Sequence, residues 1–305
     1  MITPVHRENR KSKIIPALLR WYRKHGRELP WRNEKDPYRI LVSEVMLQQT
    51  QVARVQAKYP EFLKKYPTFK KLASARTSDV VRAWRGMGYN NRAIRLHALS
   101  QKVVREHGAK LPHRIEDLGK LPGIGRYTAH AIACFAFGKK VPVVDTNVFR
   151  VMARLYPVNK RRILPSPDLV WELAGFHLPR ANVHDWNQAL MDLGSTICTA
   201  ARPRCESCPL KRYCPSAHAA PRKLLRRSRI EPGRNGIPNR IYRGKAIEVL
   251  RDLKAGASMN SASLARKIVT YFTPQDRPWF RSLLQSLERD GMVRMRGKTR
   301  ISLSD

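Results

Sequence analysis

"LPGIGRYTAHAI", residues 121–132, sets Gly123 and Gly125 immediately before an apolar, helix-patterned run. Glycine reaches positive φ and lets a foreign backbone come close. The first turn of the following helix leaves N–H groups without intrahelical partners, a setting suited to one phosphate. Alone, G-x-G before a helix is a weak signal shared by many tight turns. Here the short helix-compatible segment "HRIEDLGK" (113–120) precedes it, so the stretch reads as helix–hairpin–helix.

The surrounding sequence agrees. Apolar positions recur three and four apart in "IIPALLRWYRKHG", "PYRILVSEVMLQQ", "VVRAWRGM", "NRAIRLHALSQKVVREHG" and "YTAHAIACFAFG". Gly108, Gly123, Gly125 and Gly138 punctuate them and long alternating runs are absent, so residues 12–197 are expected to be mainly helical. Residues 216–240, rich in Arg, Pro and Gly, read as a basic linker. From 241 onward, three helical patterns precede "VRMRGKTRISLS", which alternates around Arg296-Gly297-Lys298 as a hairpin would. That order is the order of a winged helix, a module that binds DNA in some proteins and other proteins in others.

With 42% hydrophobic residues among 305, the chain can bury real cores. Sixty basic against 23 acidic residues give a net charge of +37, which argues for a polyanionic partner. Nucleic acid is the first candidate; a ribosomal or membrane surface is the alternative. No run approaches the roughly 20 apolar residues that span a bilayer. "MITPVHRENRKSK" lacks the apolar segment of a secretory signal, so a soluble protein of a reducing cytoplasm is expected, with no membrane partner.

Cys198, Cys205, Cys208 and Cys214 follow C-x6-C-x2-C-x5-C, with Pro203 and Pro209 between them. Four thiolates so spaced suit zinc or an iron–sulfur cluster, and spacing does not choose between them. Two disulfides would contradict the cytosolic reading. Arg202, Arg204, Lys211 and Arg212 share the loop, which suggests that it positions DNA. Cys134, on an apolar helix, reads as a small core residue.

Two carboxylates stand out. Glu44, in "SEVMLQQTQ", falls on a helix face with Ile40, Leu41 and Leu47, where burial disfavours its charged form. Asp145, in "VPVVDTNVFRVMARL", precedes a helical pattern and reads first as an N-cap.

In order along residues 12–214, "LPWR", "DPYRILVSEVMLQQTQV", "GMGY", "LPGIGRYTAHAI", "VVDTNVFRV", "NQALMDLGSTIC" and the four-cysteine loop resemble the helix–hairpin–helix base-excision DNA glycosylases, most closely the MutY-type adenine DNA glycosylases. The resemblance implies a mainly α fold. A two-subdomain helical core with a cluster loop would span 1–215, followed by the linker at 216–240 and a small winged-helix-like α+β domain at 241–305.

It also implies residue roles. Glu44 matches the acid that protonates the leaving adenine, and Asp145 the anion that stabilises the sugar cation. Tyr127 and Asn147 match residues organising that site. Gln48 and Tyr89 match wedges beside the widowed base, with Gln49 assisting. Trp31, Arg32, Leu47 and Gln188 fall at adenine-pocket positions, and Gly123 and Gly125 at the phosphate-binding hairpin. The cysteines match ligands of a [4Fe–4S] cluster. Raised by burial, the Glu44 carboxyl group would hold a proton near neutral pH, while Asp145 stays ionised, the division of labour of glycoside cleavage. Tyrosine at 127, where bifunctional relatives have a lysine, implies a glycosylase without a Schiff base. The implied partner is double-stranded DNA with a mismatched or damaged base, bound by a monomer, on the nucleoid in a bacterium or archaeon.

The match departs at two places. Residues 215–305 lack the likeness to nucleotide-pyrophosphate hydrolases through which this type recognises 8-oxoguanine, and Asn90 replaces the second tyrosine of "GYY". Thymine and uracil mismatch glycosylases are therefore a neighbouring reading, although their relatives tend to carry arginines at positions 48 and 49. The amide of Gln188 suits a purine. An iron–sulfur DNA-binding regulator without catalysis is a third reading, opposed by the presence of Glu44, Tyr127 and Asp145.

Overall fold

The computed structural model describes residues 4–157, 165–219, 231–297 and 299–305. Before the cysteine loop come α1 (Pro4–His25), α2 (Pro37–Leu47), α3 (Val52–Lys65), α4 (Phe69–Ala73), α5 (Thr77–Ala83) and α6 (Asn91–His107). They continue as α7 (Ile115–Leu118), α8 (Arg126–Phe135), α9 (Thr146–Leu155), α10 (Pro167–Phe176) and α11 (Val183–Thr196). Beyond the loop lie β1 (Gly233–Arg234), β2 (Ile237–Pro238), α12 (Asn239–Arg251), β3 (Met259–Asn260) and α13 (Ser261–Ile268). The last elements are α14 (Arg277–Arg289), β4 (Val293–Arg296) and β5 (Arg300–Leu303). No helix among the described residues is long and apolar enough to cross a membrane.

Local chemistry sets the helix ends. Thr68 caps α4 by accepting from the Lys71 N–H, and Ser166 caps α10, which starts on Pro167. Helix α6 stops at Gly108, whose φ of 58° is left-handed.

The chain divides into two compact units. One comprises Met1–Ile40, His113–Gly119 and Ile124–Leu225; the other comprises Leu41–Pro112, Lys120–Gly123 and Arg226–Asp305. In the first unit, Leu18 of α1, Val148 and Met152 of α9, Leu173 of α10, and Trp186, Leu190 and Leu193 of α11 form the main core. A second cluster joins Ile40, Ala131, Cys134, Phe135, Val143 and Val183, so Cys134 is the core residue its setting suggested.

In the second unit, α4 packs along α6. Residues 241–305, set apart by composition as a domain of their own, share a core with α5: Val81 is buried among Ile247 and Leu250 of α12, Leu264 of α13, Leu284 of α14 and Ile301 of β5. The expected hairpin is present, with Val293 opposite Leu303. A third strand joins it in the order β3-β5-β4, antiparallel throughout. Strand β3 has two residues, too few to show alternation in a sequence. Helix, strand, two helices and two strands make the winged-helix order. Of the anticipated linker, residues 220–230 lie outside the described residues; β1, β2 and the start of α12 occupy 233–240.

Candidate active site

In the first unit, Asp145 ends an extended segment and caps α9. Its Oδ1 accepts from the Val148 N–H at 2.7 Å, and its Oδ2 accepts from Asn147 Nδ2 at 2.8 Å. The carboxylate is thus held by two donors at a helix N-terminus, where negative charge is favoured. The Oδ1 of Asn147 in turn accepts from Arg150 Nη2 at 2.8 Å. Arg150 also donates to the carbonyls of Gly194 (2.6 Å) and Cys198 (2.7 Å). One side-chain chain therefore runs from Asp145 through Asn147 and Arg150 to the first cysteine of the loop.

Asn187 supports the approach to Asp145. It accepts from the Val143 N–H at 3.0 Å and donates to the Val141 carbonyl at 3.1 Å. Tyr127, half-buried on α8, packs on the cluster that includes Val143. Gly125 is the N-cap of α8 in extended conformation, and no side chain caps that helix. Trp31 and Gln188 are buried.

Arg32 is engaged within a buried network: it donates to Asp192 and to the Tyr22 hydroxyl, both at 2.6 Å. Arg27 also binds Asp192, which is 0% exposed. The guanidinium expected at an adenine pocket thus balances a buried carboxylate.

The four loop cysteines are free, half-buried thiols. Burial pushes Cys208 up to about 11, and Cys198, Cys214 and Cys205 add to the rise as neighbouring like charges. Cys214 is raised for the same reasons. Arg154 donates to the Cys198 carbonyl and lies 3.2 Å from its sulfur. Cys208 and Cys214, whose ionisation is held back beside the other loop thiols, belong to a donor set suited to a group that brings positive charge. Among the described residues, no three His, Cys, Asp or Glu side chains converge as a single metal ion requires.

In the second unit, Glu44 lies on α2 and is 5% exposed. Arg92 organises its surroundings, donating to the Val45 and Met46 carbonyls at 2.9 and 2.7 Å near the C-terminus of α2. A second branch of the same guanidinium donates to Thr50 Oγ1 and to the carbonyls of Met87 and Gly88. Cation at helix C-terminus is a favourable pairing, and it ties the helix of Glu44 to the loop of Tyr89. Burial nonetheless pulls Arg92 down to about 10.

Tyr89 is 52% exposed with φ 45°, after Gly86 and Gly88 at φ 83° and 67°. Gln49, also exposed, has φ 56°. A non-glycine residue in this region costs about 1–2 kcal/mol, so both conformations are imposed by their surroundings. Leu47 and Gln48 are half-buried. Gln48 and Gly123 line one shallow recess with Val45, Arg95 and Pro122. Gly123 has φ 79°, and a Cβ there would meet the Arg95 side chain at 3.1 Å.

Asn147 thus meets Asp145, Gln48 meets Gly123 in the recess, and Arg32 is drawn into a different network. Arg92, Arg150, Asn187 and Asp192, which hold these positions by hydrogen bonds, were not singled out in the sequence. Asp192 had a readable signal, since a carboxylate in the apolar run "NQALMDLG" poses the same question as Glu44. Arg92 and Arg150 are two arginines among many, with nothing in the sequence to single them out.

Residues 42–174 match the HhH-GPD superfamily of base excision DNA repair proteins. An adenine DNA glycosylase of Mycobacterium tuberculosis (strain CDC 1551 / Oshkosh) is 40% identical over 289 residues, covering 90% of this chain and 88% of that protein. Among solved structures, a thermostable thymine-DNA glycosylase aligns with TM-score 0.65 and 31% identity, over 68% of this chain and 96% of its own. A non-covalent endonuclease III–DNA complex aligns with TM-score 0.59 and 26% identity over the same shares. The chain belongs to the HhH-GPD superfamily of base excision DNA repair glycosylases. Within it the chain groups with the adenine DNA glycosylases, through a relative matched over nearly the whole of both proteins.

Proposed function

We propose that the chain is a monofunctional DNA glycosylase that hydrolyses the N-glycosidic bond of adenine mispaired with 8-oxoguanine or guanine. The observation that carries this reading is the Asp145 carboxylate, fixed at the start of α9 by the Val148 N–H and by Asn147. An anion so anchored can stabilise a cationic sugar without first reorganising. Glu44, withdrawn from water, supplies the proton that makes adenine a neutral leaving group. The bond from the sugar to adenine breaks with its electrons leaving on the base, and water adds to the sugar, releasing a proton that restores the Glu44 acid, to give an abasic site. Tyr127 offers no amine, so no Schiff base forms and the strand stays intact.

Gln48, Gln49 and Tyr89 hold open the duplex from which the target base is flipped. Gly123, Gly125 and the uncapped start of α8 take a backbone phosphate. Gln188, Trp31 and Leu47 contact the base, with Arg32 acting behind them through Asp192. Cys198, Cys205, Cys208 and Cys214 would hold a [4Fe–4S] cluster, in which each thiolate binds a separate iron. When bound, the cluster would tie the four thiolates together and so stiffen the basic loop that carries Arg202, Arg204, Lys211 and Arg212. The protein works as a monomer on duplex DNA in the cytoplasm.

Thymine or uracil excision is the second reading, favoured by the likeness to a thymine-DNA glycosylase structure. Adenine is preferred because the adenine-enzyme relative matches at higher identity and through more of the chain.

Glu44→Gln tests the acid role. Single-turnover adenine release should fall by at least ~10²-fold with duplex binding retained. Near-normal release would remove Glu44 from the mechanism. Strand cleavage in samples never exposed to alkali would overturn the monofunctional assignment.

A further inference from the structure

Asn90 departs from the pattern of the resembled family, and its environment shows what it does. Its side chain is 8% exposed and its Oδ1 accepts from Arg251 Nη2 at 2.8 Å. Arg251 ends α12, is 4% exposed, and donates through Nε to the Val81 carbonyl at 2.9 Å. Its remaining branch pairs with Glu248. One buried guanidinium thus bridges α12, the end of α5 and the residue directly after Tyr89.

The bridge does not stand alone. Asn91 donates to Asp290 at 3.0 Å, and Asp290 also pairs with Arg243. Arg82 donates to the Leu253 carbonyl, and Arg85 pairs with Asp252. These contacts fall on both flanks of Gly86–Asn90, the loop whose left-handed residues aim Tyr89 outward.

We propose that the C-terminal region serves base excision as a splint for the Tyr89 loop, with Arg251 as the positioning residue that acts through Asn90. A loop with three left-handed residues in four has many alternatives to relax into. The amide at position 90 reads the arginine as an acceptor, with two lone pairs available and no charge to desolvate. Tyr89 is then presented in one conformation before DNA arrives, and duplex distortion needs no ordering of the loop.

This inference rests on the reading of Tyr89 as a duplex wedge, and the experiment separates the two. In an Asp145→Asn background, 2-aminopurine placed beside the mismatch reports unstacking by its fluorescence under saturating protein. Tyr89→Ala should abolish most of the rise. Arg251→Met and Asn90→Ala should each lower it roughly threefold or more, and neither should add to Tyr89→Ala in the double variant. Asn90→Asp keeps an acceptor for Arg251 and should restore the signal. All readings are taken well below each variant's melting midpoint, so lost stability does not mimic lost positioning. If Arg251→Met unfolds the protein, Asn90→Ala and its Asp rescue decide the question. Full fluorescence in Asn90→Ala, with Tyr89→Ala dark, would overturn the splint while leaving the wedge intact. Full fluorescence in Tyr89→Ala would instead overturn the wedge, and the splint with it.

Discussion

Asp145 combines two tasks that a substitution can separate. As an N-cap it satisfies the Val148 N–H, and as an anion it stands ready beside Asn147. Asparagine caps about as well as aspartate, whereas alanine loses the cap at about 1 kcal/mol. Asp145→Asn is therefore expected to melt close to the parent while base release falls ~10²-fold or more. Asp145→Ala should lose both, and parallel melting curves and single-turnover rates check the pair. A parent-like rate in Asp145→Asn would show that its charge is not used. In the sequence, Glu44 was legible because a carboxylate on an apolar face broke a local expectation, whereas Asp145 fitted an ordinary N-cap and drew its further role from the resemblance. Arg32 was legible only as a position in a resemblance; its buried partner Asp192 lies 160 residues away, a separation no local pattern encodes.

Helices α9 and α11 meet where Gly194 faces Asn147. A Cβ at position 194 would lie 2.6 Å from the Asn147 Cβ and 3.0 Å from its carbonyl oxygen. Backbone cannot yield as a flexible side chain does, so Gly194→Ala should destabilise by about 1–3 kcal/mol and displace Asn147 from Asp145. Thermal melts would record the first effect and slower base release at unchanged DNA affinity the second. Stability and rate within error of the parent would show that the helices part without consequence. Arg150 spans the same junction, which explains why one half-buried arginine reaches Asn147, Gly194 and Cys198 together. Helical periodicity placed these elements in the sequence, but which glycine a neighbouring helix crosses is a matter of packing and leaves no period.

With a net charge of +37, phosphate contact is expected to dominate the affinity for DNA. Binding to undamaged duplex should weaken linearly on a log–log plot against salt. The slope is expected to be about −0.9 for each phosphate neutralised. A flat plot would mean that the basic excess faces something other than DNA. The domain boundary at 241 came from the basic composition before it and the helical pattern that resumes after it. Composition could not show that Val81 of α5 sits inside the C-terminal core, because a single valine in an apolar helix looks the same whichever partner covers it. Removing 231–305 should therefore lower the melting temperature of what remains as well as its mismatch discrimination. An unchanged melting temperature would contradict the shared core.

The most direct test of adenine excision is single-turnover base release from duplexes carrying A:8-oxoG, A:G, A:C, T:G and U:G, developed with alkali beside untreated samples. Adenine release from A:8-oxoG or A:G, with strands intact until alkali is added, is the predicted result. Release of thymine or uracil without adenine would contradict it and place the chain with the pyrimidine mismatch enzymes.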